Sequence, residues 1–330
     1  RPIVLFLLSA VVLLSPGSTI ARAVVPAGAA LTTIALLPSL GGLESAALDI
    51  NAAGLIVGWS ETVDGAMHAT LWNEGTAIDL GTLGGTESMA TAIGPDGTTV
   101  GNAEIETGEM HAAIWRDGQV LDLGTLGGHE SSATAINATG VVVGWALDAK
   151  GYRRAVTWTD GVIQDLGTLG GLESEAYGID DAGRVVGNAT TPGDVHHAVV
   201  WTDGIADDLG TLNGPESFAT AISSGGIVVG IADRSDRSSQ AVRWDNAILT
   251  ALTNLDESGW SMAIDVNDAD VVCGVAAEGR EARGLPVVWN RDAIVVLPAF
   301  GGAGSATGLN QRGSVVGWAD DADGVRQAVV

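Results

Sequence analysis

The heptad DLGTLGG stands at Asp79–Gly85 and returns unchanged at Asp122–Gly128 and Asp165–Gly171, with a damaged copy, DLGTLNG, at Asp208–Gly214. A chain that repeats itself at a fixed interval is built from supersecondary units, each burying its apolar faces against its neighbours. Anchoring on the glycine of each VVG-like run gives Gly58, Gly101, Gly144, Gly187, Gly230, Gly274 and Gly317, spaced 43 residues five times and 44 once. Seven copies fill nearly everything after residue 30, which excludes a two-domain arrangement.

Each copy holds four short strand-like segments. The first, as in SSATAIN (Ser131–Asn137), is rich in small residues and ends in an N-x-x-G turn, as at Asn51–Gly54, Asn137–Gly140 and Asn310–Gly313. Asn and Gly there are expected to supply the positive φ angles of a tight hairpin. The second, VVVGWA (Val141–Ala146), is continuously apolar and β-branched, as a strand buried on both faces should be. The third ends on Trp72, Trp115, Trp158, Trp201, Trp244 or Trp289, and in several copies Asp-Gly follows, the strongest short hairpin signal. The fourth, as in VLDL (Val120–Leu123), leads into GTLGG. Glycine recurs too often for helices, except across Ile231–Ser258, whose NAILTALTNL still aligns with the fourth segment and is read as strand.

Four strands in about 43 residues match one blade of a β-propeller, so the expected fold is all-β, seven four-stranded antiparallel blades in a single domain over residues 31–330. The innermost strand crowds the axis and needs small side chains. Ala47, Ala90, Ala133, Ala176, Ala219, Ala263 and Ala306 hold one equivalent place in all seven copies. GTLGG is then the bend from the outer edge of one blade to the axis of the next. Copy seven reaches Val330 with three segments, while TIALLPSLGG (Thr33–Gly42) aligns with a fourth segment plus bend. The N-terminal strand is therefore expected to pair with Gln327–Val330 and close the seventh blade.

Residues 3–14 form a short apolar run behind Arg1, followed by small residues and an A-x-A site at Ala21–Ala23. This pattern predicts a secretory signal peptide over residues 1–23, cleaved before Val24, with 24–30 as a linker. The absent leading Met and the abrupt end predict a fragment. A secreted, extracellular or periplasmic protein without a membrane span, and a monomer, are expected. The formal charge of −25, from 40 acidic against 15 basic residues, argues against nucleic acid and anionic membrane surfaces as partners. The single cysteine, Cys273, excludes an intrachain disulfide framework and reads as a small buried hydrophobe.

The H-A-x-x-W strand (His68–Trp72, His111–Trp115, His197–Trp201), the I-N-x-x-G-x-V-V-G hairpin and D-L-G-T-L-G-G together resemble the HAF-repeat family of predicted extracellular bacterial proteins, over roughly residues 31–330. The resemblance implies export and a repeat array, and brings no reaction or catalytic residues. Copies carrying Arg154, Gln240, Leu285 or Gln327 in place of His depart from it, as do copies six and seven, which lack the GTLGG wording.

Five copies place a glutamate just before the inner strand: Glu44, Glu87, Glu130, Glu173 and Glu216, with Trp260 and Ala303 in the other two. In a closed propeller these carboxylates would circle one mouth of the channel. A solvated loop residue is the commoner role, and cation or basic-ligand binding the sharper one. Trp59, Trp145 and Trp318 follow the VVG glycine where other copies vary, and with Trp260 they are candidates for ligand binding, sugar or peptide stacking standing against packing between blades. The histidines before the tryptophans are read as satisfied between blades, not as metal ligands. No cofactor is expected beyond calcium, for which Asp320, Asp321 and Asp323 of DDADG are weak candidates that lack the full loop pattern. Ser261 in GWSMA holds the serine place of the repeat and is not a nucleophile.

Regularity without a singular acid, base and nucleophile favours a non-catalytic module binding or displaying an extracellular ligand (a glycan, a peptide or a cell-surface partner). The alternative is an exported propeller lyase or hydrolase acting on polysaccharide with acidic residues at the channel mouth. It would need two carboxylates about 5–10 Å apart with perturbed pKa values.

Overall fold

The computed structural model describes residues 33–246, 248–291 and 293–330. The signal-peptide and linker expectations lie outside the described residues. The chain is a seven-bladed β-propeller of four-stranded antiparallel blades, and no helix occurs among the described residues. Blade three is typical: Gly127–Ile136, Val142–Asp148, Arg153–Thr159 and Val162–Asp165 pair in that order. The first strands of neighbouring blades touch one another around the circle, last to first included, and so form the wall of the axis. The glycine-free stretch is strand, as Val228–Asp233, Ser239–Asp245 and Ile248–Ala251.

Close approach at the axis explains the most regular residues. In every blade the inner strand carries a bulge directly after its alanine, between Ala133 and Ala135 in blade three. The bulge presses a main-chain carbonyl toward the second strand. A Cβ added to Gly144 would lie 2.0 Å from the Ser132 oxygen, and the other six VVG glycines face the same clash at 2.0–2.1 Å. Only glycine fits there. Thr91, Thr134, Thr220 and Thr307, just after the alanine, donate their hydroxyls to the equivalent alanine carbonyl of the following blade at 2.7–3.0 Å.

The repeated heptad divides its work residue by residue. Asp79 accepts from the Gly81 amide (2.8 Å), Gly81 adopts φ 77°, and Gly84 adopts φ 108°. The Thr82 hydroxyl donates to Gly85 O at 2.8 Å and closes the loop. A Cβ on Gly128, the last residue of the next copy, would stand 2.7 Å from Leu147 O. In blades one to three the closing glycines already belong to the inner strand, which begins at Gly41, Gly84 and Gly127, so the bend is shorter than the sequence suggested.

Two turns behave differently from each other. The Asp-Gly hairpins take positive φ at both residues, 53° and 74° at Asp117–Gly118, as a two-residue hairpin matched to strand twist requires. In the N-x-x-G turns only glycine does so, at 89° for Gly54. The expectation for Asn is corrected: Asn51 Oδ1 accepts from the Ala53 and Leu55 amides, and its Nδ2 donates to Gly94 O of the next blade at 3.1 Å. The same inter-blade bond joins Asn310 to Asn51 O at 3.2 Å, so it bridges the last blade to the first.

The seventh blade closes as expected. Gly304–Leu309, Val315–Asp320 and Arg326–Val329 supply three strands. Leu36 bridges Val329 antiparallel, with Ala35 N donating to Val330 O (2.8 Å), Leu37 N to Ala328 O (2.9 Å) and Val330 N to Ala35 O (3.0 Å). Between blades lie the cores: six contain a buried tryptophan, such as Trp72 or Trp289, and the seventh is built on Cys273, Ala306 and Leu309.

Candidate functional site

The histidines of the repeat are occupied within their own blades. His68, His111 and His197 each place Nδ1 at 2.8–2.9 Å from Asp79, Asp122 and Asp208, the aspartates that open DLG in the same blade. They are satisfied within a blade and not between blades, which corrects the expectation. The partners change together: Arg154 pairs with Asp165 at 3.1 Å, while Gln240 and Leu285 stand where the aspartate position reads Ala251 and Val296. Ser261 is fully buried, accepts from the Ala241 amide at 3.0 Å and donates to Asn254, so its role is structural. Cys273 is fully buried and its thiol donates to Ala306 O at 3.7 Å; burial pushes the thiol pKa well above its usual value.

The five glutamates lie at equivalent places at the start of the inner strands, all partly exposed, on the face that carries the GTLGG bends. Glu87 is engaged, accepting from the Met67 amide of blade one at 2.8 Å. Among the described residues, the carboxylates of Glu44, Glu130, Glu173 and Glu216 make no hydrogen bond or ion pair. Trp145 and Trp318 are each capped by an arginine of their own blade, Arg153 at 4.3 Å and Arg326 at 3.8 Å from the ring centroid. Their capped faces are closed to a sugar. Trp59 has Met67 in place of that arginine. Asp321 accepts from the Asp323 and Val325 amides (2.9 and 3.0 Å) and so closes its own hairpin, while Asp320 lies 4.0 Å from Arg326. No group of three or more potential metal ligands occurs among the described residues.

Two carboxylates that the sequence reading passed over sit deep beside the axis. Asp49 and Asp265 follow the bulge residue in blades one and six, where the other blades carry Ala92, Ala135, Gly178, Ala221 and Gly308. Asp49 accepts from its neighbour Ile50 N (2.7 Å) and from Ile93 N of the next blade (2.9 Å). Asp265 does the same with Val266 N (2.8 Å) and Leu309 N (2.9 Å). Gly308 separates them, and a Cβ there would stand 3.4 Å from Asp49 Oδ1. Desolvation, helped by the charge of Asp49, pushes Asp265 up to about 7, and desolvation raises Asp49 as well. The signal was an acid in a position otherwise reserved for small residues. Alternation across the bulge hid which face it occupied.

The repeat is lengthened between blades five and six. Trp244 to Ser261 spans one residue more than Trp72 to Ser88, and Gly274 to Trp289 one more than Gly58 to Trp72. These longer loops open a cavity of about 240 Å³ lined by Arg237, Ser238, Ser239, Ser258, Trp260 and Arg280 over Gly259. Trp260 holds the ring position that is glutamate in five other blades. Arg280 pairs with Asp236 at 2.5 Å, and the Ser238 hydroxyl and amide hold the Asp236 carboxyl below its usual range. The Arg237 guanidinium and the Trp260 indole N–H make no hydrogen bond or ion pair among the described residues. Of this cavity only Trp260 was singled out from sequence. The single 44-residue spacing was the available signal for the rest.

Against known proteins, no family model matches the chain, and no curated protein matches it. Solved structures match in fold. The β-propeller domain of the Trilobed protease from Pyrococcus furiosus, described as having an open velcro topology, is similar over 86% of this chain and 92% of that one (TM-score 0.58, 13% identity). A putative TolB from Agrobacterium tumefaciens is similar over 87% of this chain and 98% of that one (TM-score 0.52, 13% identity). TolB from Acinetobacter baumannii matches at a TM-score of 0.51 and 15% identity over 84% of this chain, which spans 66% of that protein's length. At such identities the likeness defines a propeller and nothing finer.

Proposed function

We propose that this chain is an exported, non-catalytic binding module that takes an extracellular glycan or protein ligand on the face formed by its inter-blade bends. One observation carries the proposal: the repeat breaks between blades five and six, and there an exposed arginine and a tryptophan line an open cavity with their donors unpaired. Structure alone demands regularity, so a local departure that satisfies no internal partner is best explained by an external one. Export is supported by the charged start, apolar run and A-x-A site of residues 1–23. N-terminal sequencing of secreted protein should begin at Val24; retained Arg1 would refute cleavage there. No helix among the described residues is long and apolar enough to cross a membrane.

A polysaccharide lyase or hydrolase ranks second. The raised pKa of Asp265 beside Asp49 is the kind of pairing such an enzyme uses. Yet both oxygens of each carboxylate are committed to main-chain amides, which leaves neither aimed at a substrate. Binding of the mature domain to glycan and peptide arrays, lost on Trp260→Ala, supports the module. Turnover of a polysaccharide panel abolished by Asp265→Asn would replace it with the enzyme.

A further inference from the structure

Arg237 occupies a position that the turn itself does not want filled by arginine. It is the third residue after Arg234 in the hairpin joining the second and third strands of blade five, where its amide donates to Arg234 O at 2.9 Å. The equivalent residues are Gly65, Gly108, Gly151 and Gly324 in four other blades, with φ between 81° and 95°, and Asp194 at 59° in blade four. Arg237 is held at φ 62°, in the left-handed region, where a non-glycine side chain is strained. Among the described residues nothing compensates, since its guanidinium is exposed and makes no hydrogen bond or ion pair with them.

The rest of the cavity specifies what that guanidinium is for. The hydroxyl protons of Ser238, Ser239 and Ser258 are committed to Asp236, Asp233 and Asp256 at 2.6, 3.0 and 3.0 Å. Their oxygens therefore present lone pairs and act as acceptors toward a ligand. Arg237 and the Trp260 indole N–H act only as donors, and the tryptophan adds a partly exposed aromatic face. Acceptors for several hydroxyls, a face for an apolar C–H surface and an unpaired cation describe one ligand chemistry. We infer that the cavity between blades five and six binds a carboxylate-bearing sugar, with Arg237 on the carboxylate, Trp260 against the ring and the serine oxygens on its hydroxyls.

The surrounding charge narrows the class further. The protein carries a formal −25, and the exposed Glu257, Glu278 and Glu281 stand on the loops beside the cavity. A dense polyanion meets repulsion from that field, whereas a single carboxylate reaches the arginine locally. The ligand is thus an isolated uronic acid, terminal or set among neutral sugars.

This inference rests on the binding-module proposal, and the test separates the two. Titration of the parent protein with glucuronic acid, its methyl ester and glucose should show the acid binding at least about tenfold more tightly than either neutral sugar, the loss expected of a charge-assisted hydrogen bond. Arg237→Gly is the decisive variant, because glycine already serves in four equivalent turns. It should lower glucuronate affinity at least about tenfold while raising the melting temperature, a combination that a structural arginine would not give. Equal affinity for glucose and glucuronate, with both lost on Trp260→Ala, would overturn the anionic class and keep the module. Unchanged glucuronate binding in Arg237→Gly, or capture of acidic peptides in preference to sugars, would overturn the sugar assignment. Absence of any glycan or peptide ligand would overturn both proposals.

Discussion

Asp265→Asn should change how stability depends on pH. Asp265 is held at about 7 in the folded protein, against 3.8 for a free aspartate. Its folded pKa is the higher one, so the native state keeps a proton that the unfolded chain releases between those values. The stabilisation is full below about pH 4 and is lost as pH rises toward 7. A shift of about three units corresponds to at most about 4 kcal/mol, and partial solvation of the channel wall reduces this to about 2 kcal/mol. The groups facing Asp265 are Asp49, across Gly308, and the Cys273 thiol, both of which burial holds protonated to higher pH. Asparagine has no proton to release, though its amide offers one acceptor to two main-chain donors. The variant should therefore be less stable than the parent near pH 5, by about 1–2 kcal/mol. Between about pH 5 and 8 its urea midpoint should fall less than the parent's, by the equivalent of about 2 kcal/mol. Parallel midpoint-against-pH curves for parent and variant would refute the assignment of the proton to this pair.

Gly144→Ala forces a Cβ to within 2.0 Å of the Ser132 oxygen and should cost about 3 kcal/mol or more in chemical denaturation. His68→Arg should be neutral within about 0.5 kcal/mol, because Arg154 already plays that part against Asp165; a large loss would show that the imidazole does more than pair with Asp79. Removing residues 33–40 leaves the Arg326–Val329 strand with a free edge, and light scattering should then detect self-association. Thr125→Val removes the hydroxyl bonded to Gly128 O and should lower stability by about 1 kcal/mol, read by the melting temperature.

The fold was legible because each blade repeats the same local instructions. Asp117–Gly118 sets a hairpin, Gly144 marks a close approach, Ala133 marks the axis, and seven repetitions remove ambiguity from any one of them. The closing strand was legible by the same logic, since Thr33–Gly42 aligns with a segment that copy seven lacks. The candidate cavity was not, for the opposite reason: it consists of what differs between copies. Arg237 reads as one more loop residue until its positive φ and its unpaired guanidinium are seen together. Asp49 and Asp265 needed the bulge, because strict alternation cannot tell which residue beyond it turns inward. The five glutamates share one place in the repeat without sharing their contacts, since Glu87 accepts from a neighbouring amide.

The seam between blades seven and one is fastened twice. At the rim, three main-chain bonds join Ala35–Leu37 to Ala328–Val330. Nearer the axis, Thr307, Asn310 and Ala328 make separate bonds to Ala47, Asn51 and Ser45 of blade one. The outer clasp can fray, exposing residues 33–37 to a protease, while the inner latch holds the wheel round. Limited proteolysis should thus nick the amino end quickly and leave a trimmed particle that unfolds in one later, slower event.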